Sequence, residues 1–448
     1  MKMLYDIAGA APRLAALALL LPLAFGPGTA GAQTATATAR TPFARYLEAV
    51  ENHSLDLAAQ RETITSAQAG VSIAGVRPDP QLTYGLASKE LYTPNKPNAA
   101  NSMTAGLALT VETGGKRDRR IRAAQSNVRL TEATVESFRR QLFNDAASTF
   151  AEACRANQAL VRQEDSLQAL SDVVRMNERR KKAGDIGGLE LAQSRVERDR
   201  FTADVTSARA AAQTALINLS VPLGRRYADL FPEASLDCEF KAYTPAGDPE
   251  ALVAQALKQR DDVLVAQAAL ENARDQAQLA HANRWVDPTF NVGISQTPRV
   301  NPIYGPEGDV INSPAEKSKT LSLTVTLPIP VSRLQKGELI QAESAVTQAM
   351  LTLRSVELKA ESDVRATYGQ FVAARENVRR YRESVLLDAD RVLDGMRQAY
   401  RRGAASLLEL LNAQRDADDT YLAYLQANAD LATATVQLQL SLGLRPTL

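Results

Sequence analysis

Four segments of the chain alternate between apolar and small polar residues. Leu321, Leu323, Val325 and Leu327 alternate with Ser322, Thr324 and Thr326, the period of a strand with one oily and one hydroxyl-bearing face. Leu107, Leu109 and Val111 repeat the pattern against Ala108 and Thr110. Phe290, Val292 and Ile294 do so against Asn291 and Gly293, and Leu82, Tyr84 and Leu86 against Thr83 and Gly85. With its flanks each segment reaches the roughly nine to eleven residues that cross a bilayer as a tilted strand. A soluble half-buried sheet shows the same alternation.

Elsewhere the period is helical. Leu386, Leu393, Met396 and Tyr400 share one face, as do Leu160, Leu167, Leu170 and Val174, so each helix carries an apolar seam that needs partner helices. No proline falls between residues 98 and 221 or between 331 and 445, whereas prolines crowd the strand regions. Arg333 to Arg402 as one helix would run about 100 Å at ~1.5 Å per residue. That exceeds the width of a compact globule.

The chain also matches itself. Asp79-Pro80 and Leu82 to Leu86 align with Asp287-Pro288 and Phe290 to Ile294, Leu107 to Val111 with Leu321 to Val325, Gly184 with Gly403, and Leu223-Gly224 with Leu442-Gly443. One unit has been copied: residues 33–224 form a first repeat, 225–250 a proline-bearing linker or equatorial belt, and 251–448 a second repeat. Gly184 follows Arg179, Arg180, Lys181 and Lys182, and Gly403 follows Arg401 and Arg402. Basic residues in a last turn before a glycine predict a helix end with a left-handed cap. Each copy therefore ends in a sharp helix-turn-helix tip.

Residues 1–32 read as an export signal: Lys2 and Arg13, an apolar run from Leu14 to Phe25, and Ala30-Gly31-Ala32 before Gln33. No later stretch is apolar for long enough to span a membrane as a helix. Lys and Arg number 52 and Asp and Glu 51, a net charge of +1, which offers nucleic acid no grip. Two His, one Trp and no Cys-x-x-Cys, His-Glu-x-x-His, phosphate loop or nucleophile elbow argue against an enzyme and predict no cofactor and no metal site. His53 and His281 lack ligand-like neighbours. Cys154 lies in a helical pattern and Cys238 in an irregular one; in an oxidising compartment a bridge between them is open.

Four strands leave two edges, which lipid does not tolerate. Three copies would supply twelve strands, an even and closable number. With the Asp-Pro strand starts, the paired hairpins and the tips at Ala183 to Glu190 and Arg402 to Gln414, the chain resembles the trimeric outer-membrane efflux channels of the TolC type. Glu112-Thr-Gly-Gly-Lys-Arg117 is similar to the subfamily that exports heavy-metal cations such as cobalt, zinc, cadmium or nickel. The resemblance implies a mainly α fold, its coiled-coil helices forming a periplasmic α-barrel, with four strands per protomer completing a twelve-stranded trimeric β-barrel in outer-membrane lipid. It implies a passive duct fed by a periplasmic adaptor (membrane fusion protein) and an inner-membrane proton-driven transporter of the RND class. The tips around Gly184 and Gly403, with Lys181, Lys182, Arg401 and Arg402, would meet the adaptor. Glu409, Asn412 and, more weakly, Glu190 would stand at the gate. Drug export, type I protein secretion and a soluble periplasmic coiled-coil scaffold are the alternatives.

Overall fold

The computed structural model describes residues 40–88, 101–232, 235–311, 314, 316–329 and 336–448. The export signal at 1–32, the turn at 89–100, Pro330 and Arg333 lie outside the described residues. The element order is α1 (Phe43–His53), α2 (Leu55–Ala74), β1 (Gln81–Ser88), β2 (Asn101–Thr110), α3 (Lys116–Ala183), α4 (Gly188–Asn218), and two short helices, α5 (Ser220–Leu223) and α6 (Tyr227–Leu230). The series then recurs as α7 (Pro249–Gln259), α8 (Asp261–Ala282), β3 (Thr289–Thr297), β4 (Ser318–Thr326), α9 (Lys336–Arg380), α10 (Leu386–Arg401) and α11 (Leu407–Ser441).

The strands form one antiparallel sheet in chain order. Its register puts Leu82, Leu107, Val292 and Leu323 in one row and Thr83, Gly106, Gly293 and Ser322 in the next. The alternation in sequence thus becomes two chemically distinct faces. The oily face is bare: Leu82 is 80% exposed, Leu321 73% and Leu323 72%. Among the described residues β1 and β4 each lack an outer neighbour, so a sheet of this kind in lipid requires further strands from elsewhere.

Among the described residues no helix is long and apolar enough to cross a membrane. Instead the long helices pack side by side. α3 lies against α2, α4, α8 and α11, and α9 against α7, α8 and α11. The expected seams are real, with Leu170, Val174, Leu393 and Tyr400 buried. One core gathers α1, α3, α4 and the C-terminal end of α11 around Tyr46, Phe150 and Leu219; a second gathers α7, α9 and α11 around Phe371 and Leu438. The expectation of one unbroken α-helix up to Arg402 needs correction: a π-turn at Tyr381–Val385 separates α9 from α10. Such a turn inserts an extra residue into the helix, and here Tyr381 meets Tyr424 of α11, ring centroids 6.5 Å apart.

The pairing left open for the cysteines is made. Cys154 of α3 is disulfide-bonded to Cys238 of the belt. The belt is also tied to the segment before α1, through Thr41 N–H to Ser235 O (2.7 Å) and Asp237 N–H to Thr41 O (3.0 Å).

The Glu112 to Arg117 motif forms the joint between sheet and helices. Thr113 N–H donates to Asp287 Oδ1 (2.9 Å), and Lys116, 9% exposed, pairs with Asp287 Oδ2 at 2.6 Å. Arg120 pairs with Glu112 and donates to Val76 O (2.9 Å), while Arg117 donates to Gly75 O (2.8 Å). Gly114 has φ +64°, and a Cβ there would lie 2.5 Å from the Trp285 ring. Only glycine fits.

Candidate functional site

Both helical tips have the geometry that basic residues followed by glycine predict. Gly184 takes φ 85° after α3, with Gly184 N–H donating to Lys181 O and Asp185 N–H to Arg180 O; Gly403 takes φ 74° after α10, with Ala404 N–H donating to Ala399 O. Paired bonds across a left-handed residue close each helix end. Lys181, Lys182, Arg401 and Arg402 are exposed, and among the described residues none makes an ion pair. Each chain therefore presents exposed cations free of ion pairs at the end remote from its sheet.

The two tips are locked to each other. Tyr400 of α10 is 2% exposed and its hydroxyl lies 2.7 Å from Asn177 Oδ1 of α3 and 2.9 Å from Glu190 Oε1 of α4. Arg180 stands over the same ring at 5.4 Å. Burial, then the Glu190 carboxylate, push the phenol up to about 12. Glu190, expected as a weak gate residue, is half-buried and held by this phenol, so it links the hairpins.

Glu409 is exposed, and its carboxylate caps its own helix. Ser406 N–H donates to Glu409 Oε2 (2.7 Å), the Ser406 hydroxyl donates to the same atom (2.8 Å), and Glu409 N–H returns a bond to Ser406 Oγ (3.3 Å). The backbone N–H, then the hydroxyl, hold the carboxyl below its ordinary range. It keeps a negative charge at the start of α11, where the helix dipole favours one.

Sequence reasoning stopped at Glu409 and Asn412, but the exposed face continues. Asp416 and Asp419 follow on the same side of α11, both exposed and, among the described residues, both without an ion-pair partner. Steps of seven and ten residues from Glu409 are about two and three helical turns. That spacing was readable in the sequence.

The opposite face of α11 carries a buried polar network that no motif announced. Asp418, 3% exposed, receives Arg162 Nε (3.0 Å), the Ser166 hydroxyl (2.6 Å) and Gln414 Nε2 (3.0 Å). Arg397 of α10 donates to Gln414 Oε1 (2.9 Å), and Arg162 lies over the Tyr421 ring at 4.8 Å. Arg415 reaches Glu197 of α4 at 2.9 Å. Four helices are thus tied together just inside the tips. Among the described residues no cluster of His, Cys, Asp and Glu could hold a metal ion.

The sequence profile of the family described as "Outer membrane efflux protein" matches residues 46–225 and 252–444. The cobalt-zinc-cadmium resistance protein CzcC of Cupriavidus metallidurans is 23% identical over 439 residues, covering 95% of this chain and 99% of that protein. Among solved structures, CusC superposes with a TM-score of 0.71 at 18% identity, covering 90% of this chain and 92% of its own. The outer membrane protein VceC of Vibrio cholerae gives 0.68 at 19% identity, covering 90% and 96%.

Proposed function

The chain belongs to the outer membrane efflux protein family, and on that premise we propose that it is the exit duct through which a three-part pump passes divalent heavy-metal cations out of the cell. It is an outer-membrane protein that extends into the periplasm, and it is a passive channel, not an enzyme. Its fold is that of the trimeric channels of this type: a helical barrel continued by a β-barrel to which each chain gives four strands. The bare oily face of the sheet then meets lipid, and its row of hydroxyls and glycines meets water. A soluble periplasmic scaffold is set aside by the family match and by that face.

The observation that carries the cation reading is the unpaired acidic stripe of α11. Glu409, Asp416 and Asp419 spread negative charge over about 15 Å of helix, at ~1.5 Å per residue, with Asn412 between them. Brought together from three chains, such stripes would concentrate hydrated cations and repel anions. The stripe has no thiol or imidazole to strip and retain a metal ion, as suits a conduit. The resistance to cobalt, zinc and cadmium named for the Cupriavidus relative supports the same cargo. On this reading the exposed cations around Gly184 and Gly403 meet acidic residues of a periplasmic adaptor, and an inner-membrane transporter of the RND class selects the cargo.

The test is growth of a deletion strain, with and without the gene restored, on graded cobalt, nickel, zinc and cadmium salts beside hydrophobic drugs and bile salts. Selective metal sensitivity that the gene relieves is expected. Sensitivity to drugs alone, or a protein secretion defect alone, would refute the cation cargo and leave the channel.

A further inference from the structure

Beneath the belt lies a cleft of about 730 Å³. Its wall is the belt segment Cys238 to Tyr243, held in place by the disulfide to α3, and its other sides are α9, the π-turn and α11. The floor is aromatic. Tyr421 and Tyr424 meet edge to face with centroids 6.0 Å apart, and Tyr243 meets Phe371 at 5.9 Å. Gln158 and Asn428 add amide groups.

The rim is cationic beyond what its neighbours neutralise. Arg379 is paired with Glu376 and Glu383, and Glu239 is within 3.8 Å of Arg40. Among the described residues, Lys241, Arg375 and Arg382 make no ion pair; Arg375 covers the Phe371 ring, 5.5 Å from its centroid, and its charge also reaches Glu376. The lining thus sets Lys241, Arg375, Arg379 and Arg382 against Glu239 and Glu383, an excess of basic groups around one aromatic floor. Tyrosine faces receive sugar rings, amides bond their hydroxyls, and arginine takes carboxylates by paired hydrogen bonds. The volume lies in the range of about 300–1,000 Å³ that holds a compact ligand of a few rings. A docked helix would need a long groove instead.

We propose that this cleft binds an acidic saccharide, a carboxylate-bearing amino-sugar unit of the kind that makes up the periplasmic wall. The cleft sits about 60 Å along the helices from the sheet, at ~1.5 Å per residue. A tube anchored in the outer membrane carries it into the compartment that holds that polymer. Wall strands caught here would hold the channel in register with the wall.

The experiment uses the full-length protein, assembled and purified in detergent. Calorimetric titration with N-acetylglucosaminyl-N-acetylmuramic acid tests the sugar, and co-sedimentation with purified wall sacculi tests the polymer. Saturable binding of the disaccharide is expected, with at least tenfold weaker binding of the uncharged N-acetylglucosamine dimer. The Arg375→Gln/Arg382→Gln variant and, separately, the Tyr424→Leu variant should each lose at least tenfold in affinity while keeping helicity, assembly and bilayer conductance. Binding of disaccharide and sacculi together assigns the site to the intact wall; binding of disaccharide alone assigns it to released fragments. Failure of the wild type to bind either, or equal binding by the arginine variant, overturns the proposal and leaves the channel reading untouched. So does a Tyr424→Cys thiol that a maleimide cannot reach in the assembled protein, because a second copy would then fill the cleft.

Discussion

Replacing Asp418 by Asn tests what holds the four helices together inside the tips. The carboxylate is 3% exposed and accepts from Arg162, Ser166 and Gln414. Asparagine keeps the shape but offers one acceptor atom where there were two, and its new N–H₂ must face either the Arg162 or the Gln414 donor. One buried donor is left unmatched, and the Arg162 charge loses its counter-ion. Removing one partner of a buried ion pair costs about 3–5 kcal/mol. The Arg162 side chain is 21% exposed, so water recovers part of this, and a loss of about 2–4 kcal/mol is expected. Amide hydrogen exchange along residues 410–425 reads the local opening free energy. At ~1.4 kcal/mol per tenfold, protection there should fall by about thirty- to several-hundred-fold, with α1 and α7 unaffected. The Arg162→Gln/Asp418→Asn double variant should lose less than the two single variants combined, since each removes the same pair. Protection within threefold of wild type, or strictly additive losses, would refute the network as a tie.

Other predictions concern charge, the disulfide and alkaline pH. Glu409→Gln should reduce cation preference in planar bilayers, read as a reversal-potential shift in a salt gradient, and Asp416→Asn/Asp419→Asn should reduce it further. Because the Ser406 bonds hold the Glu409 carboxyl below its ordinary range, it stays ionised at pH values where a free glutamate has taken up its proton. The cap's contribution is thus lost only as pH falls through that lowered value, and Ser406→Ala should move the acid limit of cation preference upward. Cys154→Ser should lower stability by about 2–5 kcal/mol, since the bond closes a long loop; equal thermal unfolding with and without reductant would refute this. The Tyr400 phenol, pushed up to about 12, contributes fully below its unfolded value near 10 and progressively less as pH rises from there to 12. Tip helices of wild type should therefore loosen across that window, and Tyr400→Phe, already lacking the hydroxyl, should show no such step in exchange at residues 177–190.

The strands and the helix ends were legible because each depends on local pattern. Leu321 to Leu327 can alternate only as a strand, and a basic run before Gly184 or Gly403 can end only as a capped tip. What escaped depends on which helices meet. Nothing near Cys154 in sequence names Cys238, 84 residues away, and Asp418 differs from the exposed Asp419 beside it only through Arg162 and Ser166 on α3. The π-turn falls where Tyr381 meets Tyr424 across two helices, a contact that no single-helix period registers. The Glu112 to Arg117 motif suggested a subfamily by resemblance, while its physical work, clamping the start of α3 to Asp287, became visible only once β3 lay beside β2.

The bond between Cys154 and Cys238 also orders the protein's life in time. Thiols stay reduced in the cytosol and are oxidised only after export, so the belt cannot be stapled to α3 while the chain is still inside. The core around Phe150 therefore lacks its covalent strap until the chain has crossed the inner membrane. Completion of the fold is deferred to the compartment in which the channel works, and a chain delayed in the cytosol remains unlocked and fit for transport.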